Sequence, residues 1–188
     1  MDYITVVSGL PRSGTSMMMR MLQAAGLEIL TDNVRKPDED NPRGYYELEK
    51  VKKVKEDASW LEEANGKVFK MVSQLLYDLP AERQYRIIFM RRKMQEILAS
   101  QRKMLENSGK DAGVADERKM SLLFKKHLTI IESWLKKQQN IRTLYVNYHD
   151  VIVNPLQEAE RINEFLEFRL NVNNMVEVVE PDLYRQRK

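Results

Sequence analysis

The sequence predicts a three-layer α/β/α fold built on a central parallel sheet. Three observations carry this expectation. Short apolar runs rich in β-branched or aromatic residues recur at 3–8, 67–72, 86–90 and 142–147, with helix-forming stretches between them. The first run passes directly into a turn bounded by glycines and then into a helix-forming segment, the opening of a βαβ unit. The composition is that of an ordinary globular protein, 43% hydrophobic and 31% charged over 188 residues, and a chain of that length reads as one domain, 1–188.

Each element has its own justification. YITVVS, at 3–8, suits a strand buried on both faces. GLPRSG turns the chain, and TSMMMRMLQAAG continues in good helix formers until Gly26 closes it. TDNVRKPDEDNPRGYY, at 31–46, is polar and rich in Pro, Asp and Asn, and a connection this long in a compact fold is usually functional or disordered. A helix is expected over 47–64, strands over 67–72 and 86–90, and a helix over 93–107. SGKDAGVADE reads as an exposed turn. The stretch 117–139 fits a long amphipathic helix with Leu123, Ile130, Ile131 and Trp134 near one face. A fourth strand follows at 142–147. Pro155 then opens a helix through 168, since proline suits a first helical turn. Crossovers between parallel strands are expected to be right-handed.

Several classes of function are excluded or disfavoured. The chain has no cysteine, so disulfides, thiolate zinc sites and cysteine nucleophiles are absent. Its net charge of +3 suits a protein that holds a small polyanion better than one that coats nucleic acid. No apolar run approaches the roughly 20 residues of a membrane span. The beginning, MDYITVVSG, lacks the features of a secretory signal, and a cytoplasmic location is the expectation. His127 and His149 stand alone, so no metal site is expected. The sequence leaves the oligomeric state open.

The sharpest signal is GLPRSGTS, residues 9–16, set between a predicted strand and a predicted helix. Its glycines allow successive backbone N–H groups to converge on an anion, and the helix N-terminus adds partial positive charge. Thr15 and Ser16 offer hydroxyls. The spacing is that of a Walker A loop, yet Thr15 stands where the lysine would be, and the cation sits inside the loop as Arg12, a planar fork able to grip two oxygens. No strand ends in a Walker B aspartate, because RIIFM runs into Arg91 and Arg92. In RRKMQEILAS, Arg92 stands at a strand end and Ser100 about two helical turns on, placed to hold a second phosphate. Lys70 is a charge inside an apolar strand, which fits a strand-end site facing an anion or an exposed sheet edge.

Together these segments resemble the sulfotransferases that use 3′-phosphoadenosine 5′-phosphosulfate, PAPS, a family with a P-loop NTPase-like fold. GLPRSGTS is similar to their 5′-phosphosulfate loop, in the arginine-bearing form of the tyrosylprotein sulfotransferases, and RRKMQEILAS to their 3′-phosphate motif. YVNYHDVIVNPLQEAERINEFL, KVFKMVSQLLYDLP and the loop PDEDNPRGYYELE also match segments of the family in order. The resemblance implies that Arg12, Ser13, Gly14, Thr15 and Ser16 hold the 5′-phosphosulfate and that Arg92 and Ser100 hold the 3′-phosphate. It places Tyr148 near the adenine, Lys70 in sulfuryl transfer, and Arg185 or Arg187 of the tail near the 3′-phosphate. That tail does not reproduce the basic-glycine motif of the cytosolic enzymes.

Cytosolic members carry a catalytic histidine two residues after the strand lysine. Here that position is Val72, while His127 reads as a core residue and His149 as a local capping partner. The base implied is therefore a carboxylate of the long loop: Asp32, Asp38, Glu39, Asp40 or Glu47. Glu47 is favoured because it follows GYY where the loop re-enters a helix. The activity implied is metal-independent, in-line sulfuryl transfer to a hydroxyl or amine of a small molecule, carbohydrate, lipid or peptide, leaving adenosine 3′,5′-bisphosphate. A nucleotide or small-molecule kinase, and a non-catalytic phosphate-binding domain of the same fold, are the rival readings.

Overall fold

The computed structural model describes residues 3–32, 34–39, 41–109, 114–167 and 169–180. Its centre is a four-stranded, fully parallel sheet of β1 (Ile4–Gly9), β2 (Val68–Val72), β3 (Tyr85–Arg91) and β4 (Ile141–Asn147), in the order β2-β1-β3-β4. β1 is buried along its whole length, as its unbroken apolar run requires. The helices are α1 (Thr15–Ala24), α2 (Met94–Asn107), α3 (Val114–Leu135), α4 (Tyr148–Val153), α5 (Pro155–Phe165) and α6 (Val172–Glu177).

The expected three layers are present. On one face of the sheet, Val7, Ile88 and Val146 pack with Met18 and Leu22 of α1, Val151 of α4, Ile162 of α5 and Met175 of α6. On the other face, Val6, Phe69, Ile87 and Phe89 pack with Trp60, Leu61, Leu76, and Ile131 and Leu135 of α3. From β1 the chain passes to β2 on one side, and later to β3 on the other. The C-terminal strand ends around β1 therefore form a topological switch point, where parallel α/β sheets commonly open a crevice.

Three expectations need correction. The segment 47–64 is not one helix but two short 3₁₀ helices, Glu49–Lys53 and Ser59–Ala64. Its buried residues, Val51, Val54, Trp60, Leu61 and Ala64, fit three-residue turns as well as an α-helix. The Asp57 carboxylate accepts the Ser59 N–H at 2.9 Å, and Asp32 accepts that of Glu49 at 2.6 Å; such side-chain bonds compete with a continuous helical ladder. The apolar face expected on α3 is not all core: Ile131 is buried, whereas Leu123 and Ile130 are exposed. A 22-residue helix is about 33 Å long, and a seven-residue strand about 23 Å, so α3 overhangs the sheet. The helix opened by Pro155 ends at Phe165, and the short helices α4 and α6 were not expected.

Core and overhang respond differently to truncation. Phe69→Ala, at a fully buried position, is expected to cost about 3–5 kcal/mol in urea denaturation. Leu122→Ala, on the exposed part of α3, is expected to change stability by no more than about 0.5 kcal/mol.

Candidate functional site

All four strands deliver residues to one cleft of about 390 Å³ at their C-terminal ends. The loop after β1 contributes Arg12, Gly14, Thr15 and Ser16. Lys70 comes from β2, Arg92 from just past the end of β3, Ser100 from α2, and Tyr148 from the start of α4. Among the described lining residues, eight are Lys or Arg and three are Glu, so the cleft is strongly cationic.

The loop geometry explains its glycines. Gly9 (φ +147°) and Gly14 (φ +100°) occupy backbone conformations that L-residues rarely adopt, and a Cβ on Gly14 would lie 2.3 Å from the Tyr148 ring. Arg12 is also left-handed, at φ +70°, an uncommon conformation for a residue with a side chain. No side chain caps α1, and its first turn holds no acidic residue, leaving the N-terminal end of the helix suited to an anion. Ser13 is buried against this loop, and among the described residues its Oγ has no hydrogen-bond partner.

The two segments read as anion-binding in the sequence touch each other. Arg12 Nε donates to Ser100 Oγ at 2.9 Å, and Arg92 donates to the Arg12 carbonyl at 3.2 Å. The Arg92 guanidinium lies 4.4 Å from the Tyr148 ring centroid, and its Nε is held at 2.9 Å by the fully buried Glu96 carboxylate. Glu96 was missed in the sequence, although its i,i+4 spacing from Arg92 is a readable signal.

Lys70 lies on the edge strand β2, yet its side chain is only 12% exposed. Its Nζ donates to the Tyr45 carbonyl, reaches Ser16 Oγ at 3.4 Å, and stands 4.0 Å from Glu47 Oε1. Burial holds the Lys70 pKa down to about 8; Glu47 opposes that shift, while Arg35 and Arg12 reinforce it.

The loop carboxylates separate by contact. Asp32 accepts the backbone N–H groups of Glu49 and Val34, which hold its carboxyl below the usual range. Asp38 accepts the Tyr45 hydroxyl at 2.7 Å and the Asn41 N–H at 2.9 Å. Both are engaged in shaping the loop. Glu39 lines the cleft, and Asp40 lies outside the described residues. Glu47 lines the cleft beside Lys70, with Arg35 at 3.2 Å. Asn41, not singled out in the sequence, donates to Ser16 Oγ at 3.0 Å and to the Gly44 carbonyl at 2.7 Å, tying the loop to α1. Arg20 and Arg43 meet at Glu180, at 3.0 and 3.1 Å.

Tyr45 is buried with Arg35 stacked 3.4 Å from its ring centroid, and Tyr46 donates to Gln23 at 3.2 Å. His127 is half-buried, 2.9 Å from Ser73 Oγ, while His149 is exposed in the first turn of α4. Arg185 and Arg187 lie outside the described residues. Among the described residues, no cluster of three or more metal-ligating side chains is found, and no helix is long and apolar enough to cross a membrane.

Set against known proteins, the chain matches the family described as "Sulfotransferase domain" over residues 3–185. Among solved structures it is similar to the sulfotransferase domain from the curacin biosynthetic pathway, with 15% identity and a TM-score of 0.56, over 97% of this chain and 80% of that one. It is also similar to an unliganded sugar kinase from Janibacter sp., with 12% identity and a TM-score of 0.48, over 97% and 98% of the two chains. No curated protein matches it.

The loop geometry makes a prediction about its second glycine. Gly26→Ala meets only backbone strain, since nothing lies within 4 Å of the added Cβ, whereas Gly14→Ala meets that strain and a clash with Tyr148. Chemical denaturation is expected to show roughly 1–3 kcal/mol lost in the first variant and a clearly larger loss in the second.

Proposed function

The chain belongs to the sulfotransferase domain family, and from that premise we propose that it transfers a sulfuryl group from PAPS to a hydroxyl or amine of an acceptor, as one domain spanning 1–188. The observation that carries this reading is the contact between the two anion-binding segments, Arg12 with Ser100 and Arg92 with Arg12, on a single cleft. A donor with phosphate groups at both its 5′ and 3′ positions needs two such anchors on one surface.

The residues present fit that donor. The uncapped N-terminus of α1, the glycine cradle and Arg12 suit a 5′-phosphosulfate, with Ser13, Gly14, Thr15 and Ser16 supplying N–H and hydroxyl donors. Arg92, oriented by Glu96, and Ser100 suit a 3′-phosphate, and Tyr148 braces both the loop and Arg92. When bound, PAPS supplies an activated sulfuryl group with adenosine 3′,5′-bisphosphate as its leaving group.

The chain's own work is positioning and proton handling. Charged Lys70 and Arg12 stabilise negative charge that develops on oxygens in the transition state, in a cleft where partial burial strengthens that interaction. Glu47 accepts the proton of the acceptor hydroxyl or amine. Its 4.0 Å separation from Lys70 sets a base and a cation side by side. Arg35 and the 31–47 loop hold Glu47 in place through the 3.2 Å ion pair and through the bonds that Asp32 N–H and Thr31 Oγ1 donate to its carbonyl.

Transfer of labelled sulfate from PAPS to a panel of phenols, sugars, lipids and peptides tests the reading directly. Arg12→Ala is expected to abolish turnover and weaken bisphosphate binding. Glu47→Gln is expected to lower kcat by about 10²–10⁴-fold while leaving bisphosphate affinity nearly unchanged. The pH profile carries a separate test. Lys70 acts in its charged form, so the rate is expected to fall as pH rises through about 8. Lys70→Arg is expected to remove that falling limb, since a guanidinium stays charged. Glu47→Gln is expected to move the limb to lower pH, because the lost carboxylate favours the charged lysine.

A further inference from the structure

The overhanging part of α3 takes no part in the cleft, yet its surface is not neutral. From residue 118 to residue 137, every exposed ionisable side chain is basic: Arg118, Lys119, Lys125, Lys126, Lys136 and Lys137. The one acidic residue of this stretch, Glu132, is paired with Arg91 at 2.7 Å. Among these cations stand three large aliphatic side chains that the fold leaves in water: Leu122 (70% exposed), Leu123 (57%) and Ile130 (51%). Keeping them exposed is unfavourable unless something else covers them.

The pattern is ordered. Leu123, Ile130 and Trp134 follow one another at spacings of seven and four along one stripe of the helix. Lys119 and Lys126 are three or four residues from Leu123 and lie beside that stripe. The stripe does not end with the helix. Trp134 packs edge-on against Tyr77 at 4.9 Å, and Tyr77 is 40% exposed on the 3₁₀ helix Ser73–Asp78. Leu75 of that same turn, and Val72 just before it, line the mouth of the cleft. An apolar strip, flanked on α3 by Lys119 and Lys126 and passing over the partly buried Trp134, thus runs from the overhanging part of α3 toward the candidate active site.

We propose that this face docks on an anionic lipid bilayer. Lysine-rich helices with an aliphatic and aromatic stripe lie in the membrane interface, their stems along the apolar surface and their ammonium groups at the headgroups. Exposed Tyr77, with the partly buried Trp134 behind it, suits the same depth, where rings with one polar end collect. A second copy of this chain would set like charges against one another. A protein partner fits less well, since protein–protein interfaces are depleted in lysine and the two cations that flank the stripe, Lys119 and Lys126, are both lysines. Docking here brings the Val72 and Leu75 side of the cleft to the bilayer surface, with nothing inserted across it.

Co-sedimentation of the intact chain with vesicles tests the proposal. Binding is expected to phosphatidylcholine vesicles that contain phosphatidylserine, to weaken as salt is raised, and to be at least roughly tenfold weaker with phosphatidylcholine alone. Lys119→Glu with Lys126→Glu, and separately Leu123→Ser with Ile130→Ser, are each expected to lower binding about tenfold or more with an unchanged far-ultraviolet spectrum. Failure of the parent chain to sediment with the anionic vesicles would overturn the proposal. So would equal binding by parent and both variants, or retention on soluble polyglutamate without vesicle binding, which assigns the face to an acidic protein. None of these readings depends on turnover, so they stand apart from the test of the proposed reaction.

Discussion

The arrangement of the cleft depends on one short bridge: Arg12 reaching Ser100, and Arg92 reaching back to the Arg12 carbonyl. Arg12 belongs to the loop after β1, and Ser100 to a helix 88 residues away in the chain. The bridge is possible because β1 and β3 are paired neighbours in the sheet, so the loop after one strand lies beside the segment that follows the other. Holding the loop in this shape requires left-handed backbone at Arg12 and Gly14. The Tyr148 ring closes over Gly14 and carries the Arg92 guanidinium on it, while Glu96 fixes the far side of that guanidinium. The strain of the loop is thus borne by residues from the ends of three strands.

A second set of contacts brings the base and the cation of the proposed reaction together. Lys70 and Glu47 come from segments with no regular structure in common. The 31–47 loop folds over the cleft because Asp32 and Asp38 turn inward to bind its own backbone N–H groups, and Asn41 anchors it to Ser16. The loop's carboxylates therefore do different jobs. Two shape it, and Glu47 is left facing an amine whose pKa burial has lowered to about 8.

The strands and the anion loop were readable because their signals are local. β-branched apolar runs specify buried strands, and glycines between a strand and a helix specify an anion cradle. Helical spacing suggests that Arg92 and Ser100 share one side, and both line the cleft, where Arg12 rather than Arg92 bonds Ser100. Where contacts between distant segments decide the outcome, the sequence was ambiguous. The 47–64 stretch carries apolar spacing that suits either helix type, and two aspartate side chains tip it toward 3₁₀ turns. The stripe on α3 is only partly core, Ile131 buried and Leu123 and Ile130 exposed, and nothing local in the sequence reveals that the helix outruns the sheet. The meeting of Arg20, Arg43 and Glu180 joins residues up to 160 positions apart and leaves no local trace. Helices α4 and α6 have six residues each, too few to show a period.

The central claim is that two anchors on one cleft grip the two ends of one nucleotide. Isothermal titration of adenosine 3′,5′-bisphosphate and of adenosine 5′-monophosphate into the metal-free chain tests it most directly, because the two ligands differ only in the phosphate assigned to Arg92 and Ser100. Charged hydrogen bonds of that kind predict an affinity for the bisphosphate at least roughly tenfold greater, with the difference lost in Arg92→Ala. Equal affinities for the two nucleotides in the parent chain, or a preference for the bisphosphate that survives in Arg92→Ala, would contradict it.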